Sequence, residues 1–372
     1  MKKNGITEYF VDVETESRHE GYFYSVAEAI TIVILGSLCG LRNIRQIHLW
    51  AASERVKGFL KEEFGIKRIP CYYWLLCLLK TVKPQSLSEL FTKWVKSLLS
   101  HDMTGTTLAL DGKTIRSTGK MKDYEESLHI VSAQVAEFGL TLATKSVEGK
   151  SNEIPAVQDL LNSLEISGCM VVADALNCQE KTAKIIVKKN ADYLLSVKGN
   201  QAKTEEEIEG YVKDKEFRDN MERVTIQEKN RNRDEKRTAY VSYDLSYIQN
   251  KEKWAKLACF GAIHTEVKFG DGKVTNEWHY YISSQRLTGE QLLHYARKEW
   301  SVETMHWLLD VHFGEDFCRI RDKNAQQNLN ILRKFALNLV KNYKTTNAPK
   351  RPMSHIMFNC LMDCYSLMKL IS

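Results

Sequence analysis

Two aspartates stand at the ends of apolar segments with strand character: Asp111 closes LALD and is followed by Gly112-Lys113, and Asp174 closes VVAD. A single Asp in such a place ordinarily caps the turn or helix that follows. Two of them on neighbouring strands emerge at one edge of a sheet, where the carboxylates repel unless they are protonated or neutralised by a cation. Hard oxygen ligands of this kind favour Mg2+. A third carboxylate would complete such a site, and HYARKEWSVETMHWLLDVHFGEDF supplies candidates. Val302, Met305, Leu308 and Leu309 form an apolar helix face there, flanked at helical spacing by Glu303, His306, Trp307 and Asp310. Glu299, Asp310, Glu315 and Asp316 compete with Glu303, and spacing does not choose among them. His129, His306 and His312 lack metal-ligand regularity and read as structural.

The elements that must position these groups follow from periodicity. The first hundred residues read as helical: Ser25-Val-Ala-Glu28 and Ser86-Leu-Ser-Glu89 are capping-box patterns, and Ile44 to about Leu60 carries apolar residues at helical spacing. After His101 the texture changes to short strands over Leu108–Asp111, Ser127–Ala136 and Gly139–Gly149. A helix from Pro155, a buried strand over Cys169–Ala175, a helix over Glu180–Lys189 and a strand over Ala191–Gly199 complete the order β-β-β-α-β-α-β. In that order the first and fourth strands are neighbours in a mixed sheet, which places Asp111 beside Asp174. From about Lys203 to Ser284 the chain is charged, aromatic and β-rich, as an insertion would be. From Thr288 it is helical again, with Thr288-Gly-Glu-Gln291 a third capping-box pattern.

The 372 residues, 43% hydrophobic, suffice for two or three folding units without covalent staples. Nine cysteines lacking any C-x-x-C pair, and charges where an apolar signal core would lie, point to a reduced cytoplasmic protein. The longest apolar run, Val26 to Cys39, contains Glu28 and is too short for a membrane span. The net charge of +6 is mild. Its distribution says more: Asn324 to Met362 holds no acidic residue but has Arg333, Lys334, Lys341, Lys344, Lys350 and Arg351. That stretch suits a phosphate backbone, and equally a solvated helix face and tail.

Five blocks, LALDGKTIRSTG, EGKSNEIPAVQDLL, CMVVADALNCQ, NADYLLSVKGNQ and EWSVETMHWLLDVHFGEDFCRIRDKNAQQN, resemble in order and spacing the DDE transposases of bacterial insertion sequences, in the branch that includes the H-repeat-associated proteins. The likeness covers roughly Ser25 to Leu339. It implies an α/β fold with a ribonuclease-H-like mixed sheet core (103–202 and 286–345) split by a β-rich insertion (203–285). A helical domain (1–102) that binds DNA ends or serves assembly precedes the core, and a basic helical tail (346–372) follows it. The resemblance selects Asp111, Asp174 and Glu303 as catalytic residues and as ligands of two Mg2+ ions, with Mn2+ as a substitute. The implied reaction is phosphoryl transfer on double-stranded DNA at the element's terminal inverted repeats, then strand transfer into target DNA, by a homodimer on DNA associated with the nucleoid. Lys113, Arg116, Lys198, Asn200, Gln201, Arg297, Arg319 and Arg321 are the candidates for DNA contact. Ala296, Glu299 and Asp310 stand where related transposases often carry Tyr, Arg and Lys, and Arg231-Asn232 where they show His-Gly. A domesticated nuclease of the same fold and a non-catalytic DNA-binding regulator are the alternatives.

Overall fold

The computed structural model describes residues 5–16, 23–99, 103–118, 127–147, 152–230 and 233–371, so the Arg231-Asn232 departure lies outside the described residues. Six helices build the front of the chain: α1 (Gly5–Tyr9), α2 (Val26–Leu38), α3 (Ile44–Ala51), α4 (Glu54–Phe64), α5 (Tyr72–Thr81) and α6 (Pro84–Leu98). α2 begins where the capping pattern places it, with the Ser25 hydroxyl accepting from the Glu28 N–H at 3.5 Å, and most of its surface is buried. The single helix expected from Ile44 to about Leu60 is two, because Ser53 turns its hydroxyl back onto the Trp50 carbonyl at 2.8 Å and interrupts the run. The second capping pattern is displaced. α6 begins with Pro84, whose missing N–H costs nothing in the first turn, and Ser86 accepts instead from the Glu14 N–H at 3.0 Å.

The sheet begins as an antiparallel meander of β1 (Thr107–Ile115), β2 (Leu128–Val135) and β3 (Leu140–Val147). α7 (Glu153–Ser163) crosses to β4 (Met170–Ala173), and α8 (Glu180–Lys188) to β5 (Asp192–Val197); β4 is parallel to both β1 and β5. The strand order β3-β2-β1-β4-β5 is the ribonuclease-H-like arrangement. β1 is longer than LALD suggests: it pairs with β4 only up to Leu110↔Ala173 but continues along β2 to Ile115↔Leu128.

The β-rich stretch opens with two helices, α9 (Ala202–Lys213) and α10 (Lys215–Asp219), before β6 (Glu222–Asn230), β7 (Arg233–Ser242), β8 (Cys259–Phe269) and β9 (Val274–Ser283). Its strands do not form a sheet of their own. β9 pairs antiparallel with β5, from Leu194↔Ser283 to Val197↔Tyr280, giving one nine-stranded sheet in the order β3-β2-β1-β4-β5-β9-β8-β7-β6. Charged residues such as Arg223 and Glu228 along β6 discourage pairing at that edge.

α11 (Gly289–Glu299) carries a complete capping box between Thr288 and Gln291. It is followed by α12 (Ser301–Phe313), α13 (Lys323–Asn347), α14 (Met353–Met362) and α15 (Met368–Ile371). α13 lies between the front helices and the sheet. Phe335 stacks on Trp94 at 3.8 Å and meets Phe10 at 5.4 Å. Asn328 donates to the carbonyls of Leu79 and Val82, both at 2.8 Å, and Asn338 brackets the backbone of Thr141. The acid-free stretch does not present its first cations to solvent. Arg333 and Lys334 are buried, because each satisfies acceptors inside the fold: Arg333 donates to the Arg42 carbonyl at 2.7 Å, and Lys334 to the hydroxyls of Ser132 and Thr144 at 2.9 Å. Lys341 reaches the Gly139 carbonyl at 2.5 Å. The last residues fold back onto α4, with Leu367, Leu370 and Ile371 buried and the Tyr365 hydroxyl donating to Glu62 at 3.0 Å. All nine cysteines are free thiols, and among the described residues no helix is long and apolar enough to cross a membrane.

Phe335→Ala is expected to lower unfolding stability by about 3–5 kcal/mol in urea titrations, by opening the contact between α13 and the front helices. Burial pushes the Lys334 ammonium down to about 8 from its ordinary value of 10.5. Between those values the unfolded chain holds the proton that the folded chain has lost, so this group makes stability rise with pH across that window. Urea midpoints taken from pH 8 to 10.5 should show that rise for the wild type and a reduced rise for Lys334→Met.

Candidate functional site

The parallel register of β1 and β4 ends at Leu110↔Ala173, so Asp111 and Asp174 are the next residue on each strand, side by side at the carboxyl edge of the sheet. Asp174 caps the short turn Ala175–Asn177, its Oδ1 accepting from the Asn177 N–H at 3.2 Å and from Asn177 Nδ2 at 3.0 Å. Burial, followed by the charge of Asp174, pushes the Asp111 carboxyl up to about 7; the Gly112 N–H opposes this, and Glu153 and Glu303 add to it. Glu303 sits exposed in the first turn of α12, within electrostatic reach of Asp111. Glu299, at the end of α11, shares the same field. Burial and then Asp174 push it up to about 8, with Lys198 opposing and Asp111 and Glu303 adding.

Among the described residues Asp111 has no cationic partner to relieve this. His306 Nδ1 stands 3.7 Å from Asp111 Oδ2, too far for a hydrogen bond. Burial first, and then Lys334, Lys113 and His129, push the imidazole down to about 3, so it is neutral near neutral pH. Lys113 shares the strand face of Asp111 but turns into α12 and the turn beyond it, 2.7 Å from Asp310, 3.0 Å from Glu315 and 3.8 Å from Asp316. Burial works against its charge, and Glu315 and Asp310 outweigh burial, leaving the ammonium above its ordinary value. Among the described residues no Lys or Arg forms an ion pair with Asp111, Asp174 or Glu303. These hard, unpaired carboxylate oxygens fit a divalent cation in chemistry. Among the described residues no three His, Cys, Asp or Glu side chains converge tightly enough to hold a metal, so the set is an acidic field and not a closed coordination shell.

On the opposite strand face a buried chain of polar groups leads away from Asp174. Asn177 Nδ2 also donates to Glu153 Oε1 at 3.1 Å, Glu153 Oε2 lies 2.8 Å from His129 Nε2, and His129 Nδ1 lies 2.8 Å from Thr114 Oγ1. Glu153 and Asn177 lie inside the sequence blocks of the resemblance, but only their burial and mutual contact distinguish them from an ordinary helix-start acid and a turn amide.

The other candidates for DNA contact take different places. Arg116, Lys198 and Arg319 are exposed. Asn200 donates to the Ala175 carbonyl at 2.5 Å and Gln201 to the Cys178 carbonyl at 3.0 Å, so both fasten the turn that follows Asp174. Arg297 pairs with Glu228 of β6 at 2.6 Å. Arg321 donates to the carbonyls of Ser117 and Thr118, at 3.2 and 2.9 Å, tying the end of β1 to the segment before α13.

Lys113→Met is expected to cost about 3–5 kcal/mol in urea unfolding, because it strands the buried Glu315 beside Asp310 without their cation. Adding Glu315→Gln should recover part of the loss.

A family model described as "Transposase DDE domain" matches residues 102–339, and one described as "DDE_Tnp_1-associated" matches residues 7–95. "Putative transposase YncI" of Escherichia coli O157:H7 is 29% identical over 364 residues, 96% of this chain and 92% of that protein. "H repeat-associated putative transposase YhhI" of Escherichia coli (strain K12) is 32% identical over 303 residues, 79% of each chain. Among solved structures, a piggyBac transposase synaptic complex with hairpin DNA aligns at a TM-score of 0.43 and 11% identity, over 99% of this chain and 80% of that one.

Proposed function

The chain belongs to the DDE transposase family, and we propose that it cuts double-stranded DNA at the ends of an insertion sequence and joins the freed 3′-hydroxyls to a target. The observation that carries this reading is the pairing of Asp111 with Asp174 at the carboxyl edge of β1 and β4, uncompensated by any lysine or arginine among the described residues and within the field of Glu303. Asp111, Asp174 and Glu303 are the residues that would hold divalent metal, Mg2+ or Mn2+. Bound there, a pair of such ions supplies activation of the attacking oxygen and stabilisation of the leaving one in an in-line displacement.

The protein's own part is placement. Asn177 fixes one oxygen of Asp174 with two N–H donors, and Lys113 anchors α12 through Asp310, holding the helix that carries Glu303. His306, neutral at physiological pH, adds no competing cation beside Asp111. Arg116, Lys198 and Arg319 supply exposed positive charge for phosphates, which orients a duplex without reading its sequence. Handling two ends together calls for two copies of the chain on DNA.

The test is a reaction of purified protein, Mg2+, an oligonucleotide bearing the element's terminal repeat, and plasmid. Cleaved and joined products are expected from the wild type. Asp111→Asn, Asp174→Asn and Glu303→Gln should reduce both to background while still retarding the oligonucleotide in a gel-shift assay. Cleavage without joining would reassign the chain as a nuclease, and biological activity unchanged by the three substitutions would make it a DNA-binding regulator.

A further inference from the structure

Of the buried chain of groups behind Asp174, the reading above uses Asn177 alone; Glu153, His129 and Thr114 have no part in it. Glu153 is 3% exposed and His129 2%, so each is removed from water and depends on the other across 2.8 Å. Thr114 backs the far nitrogen of the ring. A methyl group at Gly112 would land on the Glu153 carboxylate, so the glycine in Asp111-Gly112-Lys113 is what lets that carboxylate lie against β1, one residue from Asp111. Such an acid is expensive to bury, and a merely structural one would be more cheaply replaced by an apolar side chain of similar size.

Asn177 shows what the arrangement does. Its two amide hydrogens are divided between Glu153 Oε1 and Asp174 Oδ1, at 3.1 and 3.0 Å. Turning the amide over would set its oxygen against two carboxylate oxygens, so the acids fix its orientation. They do so although Asn177 Oδ1, fully buried, has no hydrogen-bond partner among the described residues. Both of the Asn177 donors to Asp174 fall on Oδ1, which leaves Oδ2 with its full acceptor capacity. Carboxylates that bind a metal are in turn hydrogen-bonded by groups behind them, and removing such groups typically weakens metal binding tenfold to a hundredfold.

We propose that Glu153, backed by His129 and Thr114, is a positioning residue that acts through Asn177 to orient Asp174 for a divalent cation. The inference rests on the metal-dependent reading of the site, and direct Mn2+ binding tests the two apart. Isothermal titration of the full-length protein with Mn2+ alone, without DNA, is compared across wild type, Asp174→Asn, Glu153→Gln, Asn177→Ala and the double variant Glu153→Gln/Asn177→Ala, with melting in EDTA recorded for each. The Glu153→Gln change keeps the shape of the side chain but removes the charge that strengthens its bonds to Asn177 and His129. Glu153→Gln and Asn177→Ala are each expected to weaken Mn2+ binding by about tenfold or more. The double variant should lose no more than the worse single one, since the two act in series. Wild-type Mn2+ affinity in a folded Glu153→Gln or Asn177→Ala protein overturns the proposal, as does a double loss equal to the product of the single losses. Asn177→Ala leaves the Glu153–His129 pair intact, so it decides the matter if Glu153→Gln does not fold. Equal Mn2+ binding by wild type and Asp174→Asn overturns the metal reading itself, and this inference with it.

Discussion

Two carboxylates that follow the last residues of a parallel strand pair repel each other, and much of the surrounding structure is arranged around that repulsion. The β1–β4 register leaves Asp111 and Asp174 no freedom to separate, since both backbones are held in a sheet that continues on either side. Among the described residues no cation neutralises them. Lys113 is diverted into α12, and His306 is too buried to carry charge. The site is therefore poised to gain from a bound cation, at some cost to the stability of the protein without one.

The same economy with charge explains α13. A helix packed on two sides would ordinarily be apolar all round. Here Asn328, Asn338, Arg333 and Lys334 are buried along with Phe335, and each is matched to a specific carbonyl or hydroxyl of the front helices or the sheet. Apolar packing supplies the adhesion between these layers. The polar pairs fix the register of α13 against both, because sliding the helix by one turn would leave several buried groups unsatisfied.

The half of the fold that carries Asp111 and Asp174 was legible in the sequence because its strands are short apolar runs bounded by turn residues, and α11 begins at a complete capping box. LALD and VVAD therefore located Asp111, Asp174 and the strand order between them. The limits are equally physical. Ser86 resembled a cap but bonds to Glu14, seventy-two residues away in the chain, and the pairing of β5 with β9 joins segments whose local patterns contain no trace of each other. Cations on α13 suited a phosphate backbone or a solvated face equally, and both readings required exposure, since sequence periodicity cannot say that both sides of a helix are covered. Glu303 could be separated from Glu299, Asp310, Glu315 and Asp316 only by family likeness; the structure gives Asp310 and Glu315 to Lys113 and leaves Glu299 in the same acidic field. The partnership of Glu153 with Asn177 was invisible because neither residue is unusual alone.

The seating of α13 against α2, α5 and α6 sets a timetable for synthesis. On the ribosome the front helices emerge early, yet the surface that covers them is made only after the whole sheet has been translated. At about 5–20 residues per second that wait is on the order of ten seconds or more. Until then the apolar side of α2 is available to chaperones or to misassembly. A polypeptide terminated before α13 lacks the cover of its first helices as well as the last stretch of its core, so premature termination yields no independently folded front half.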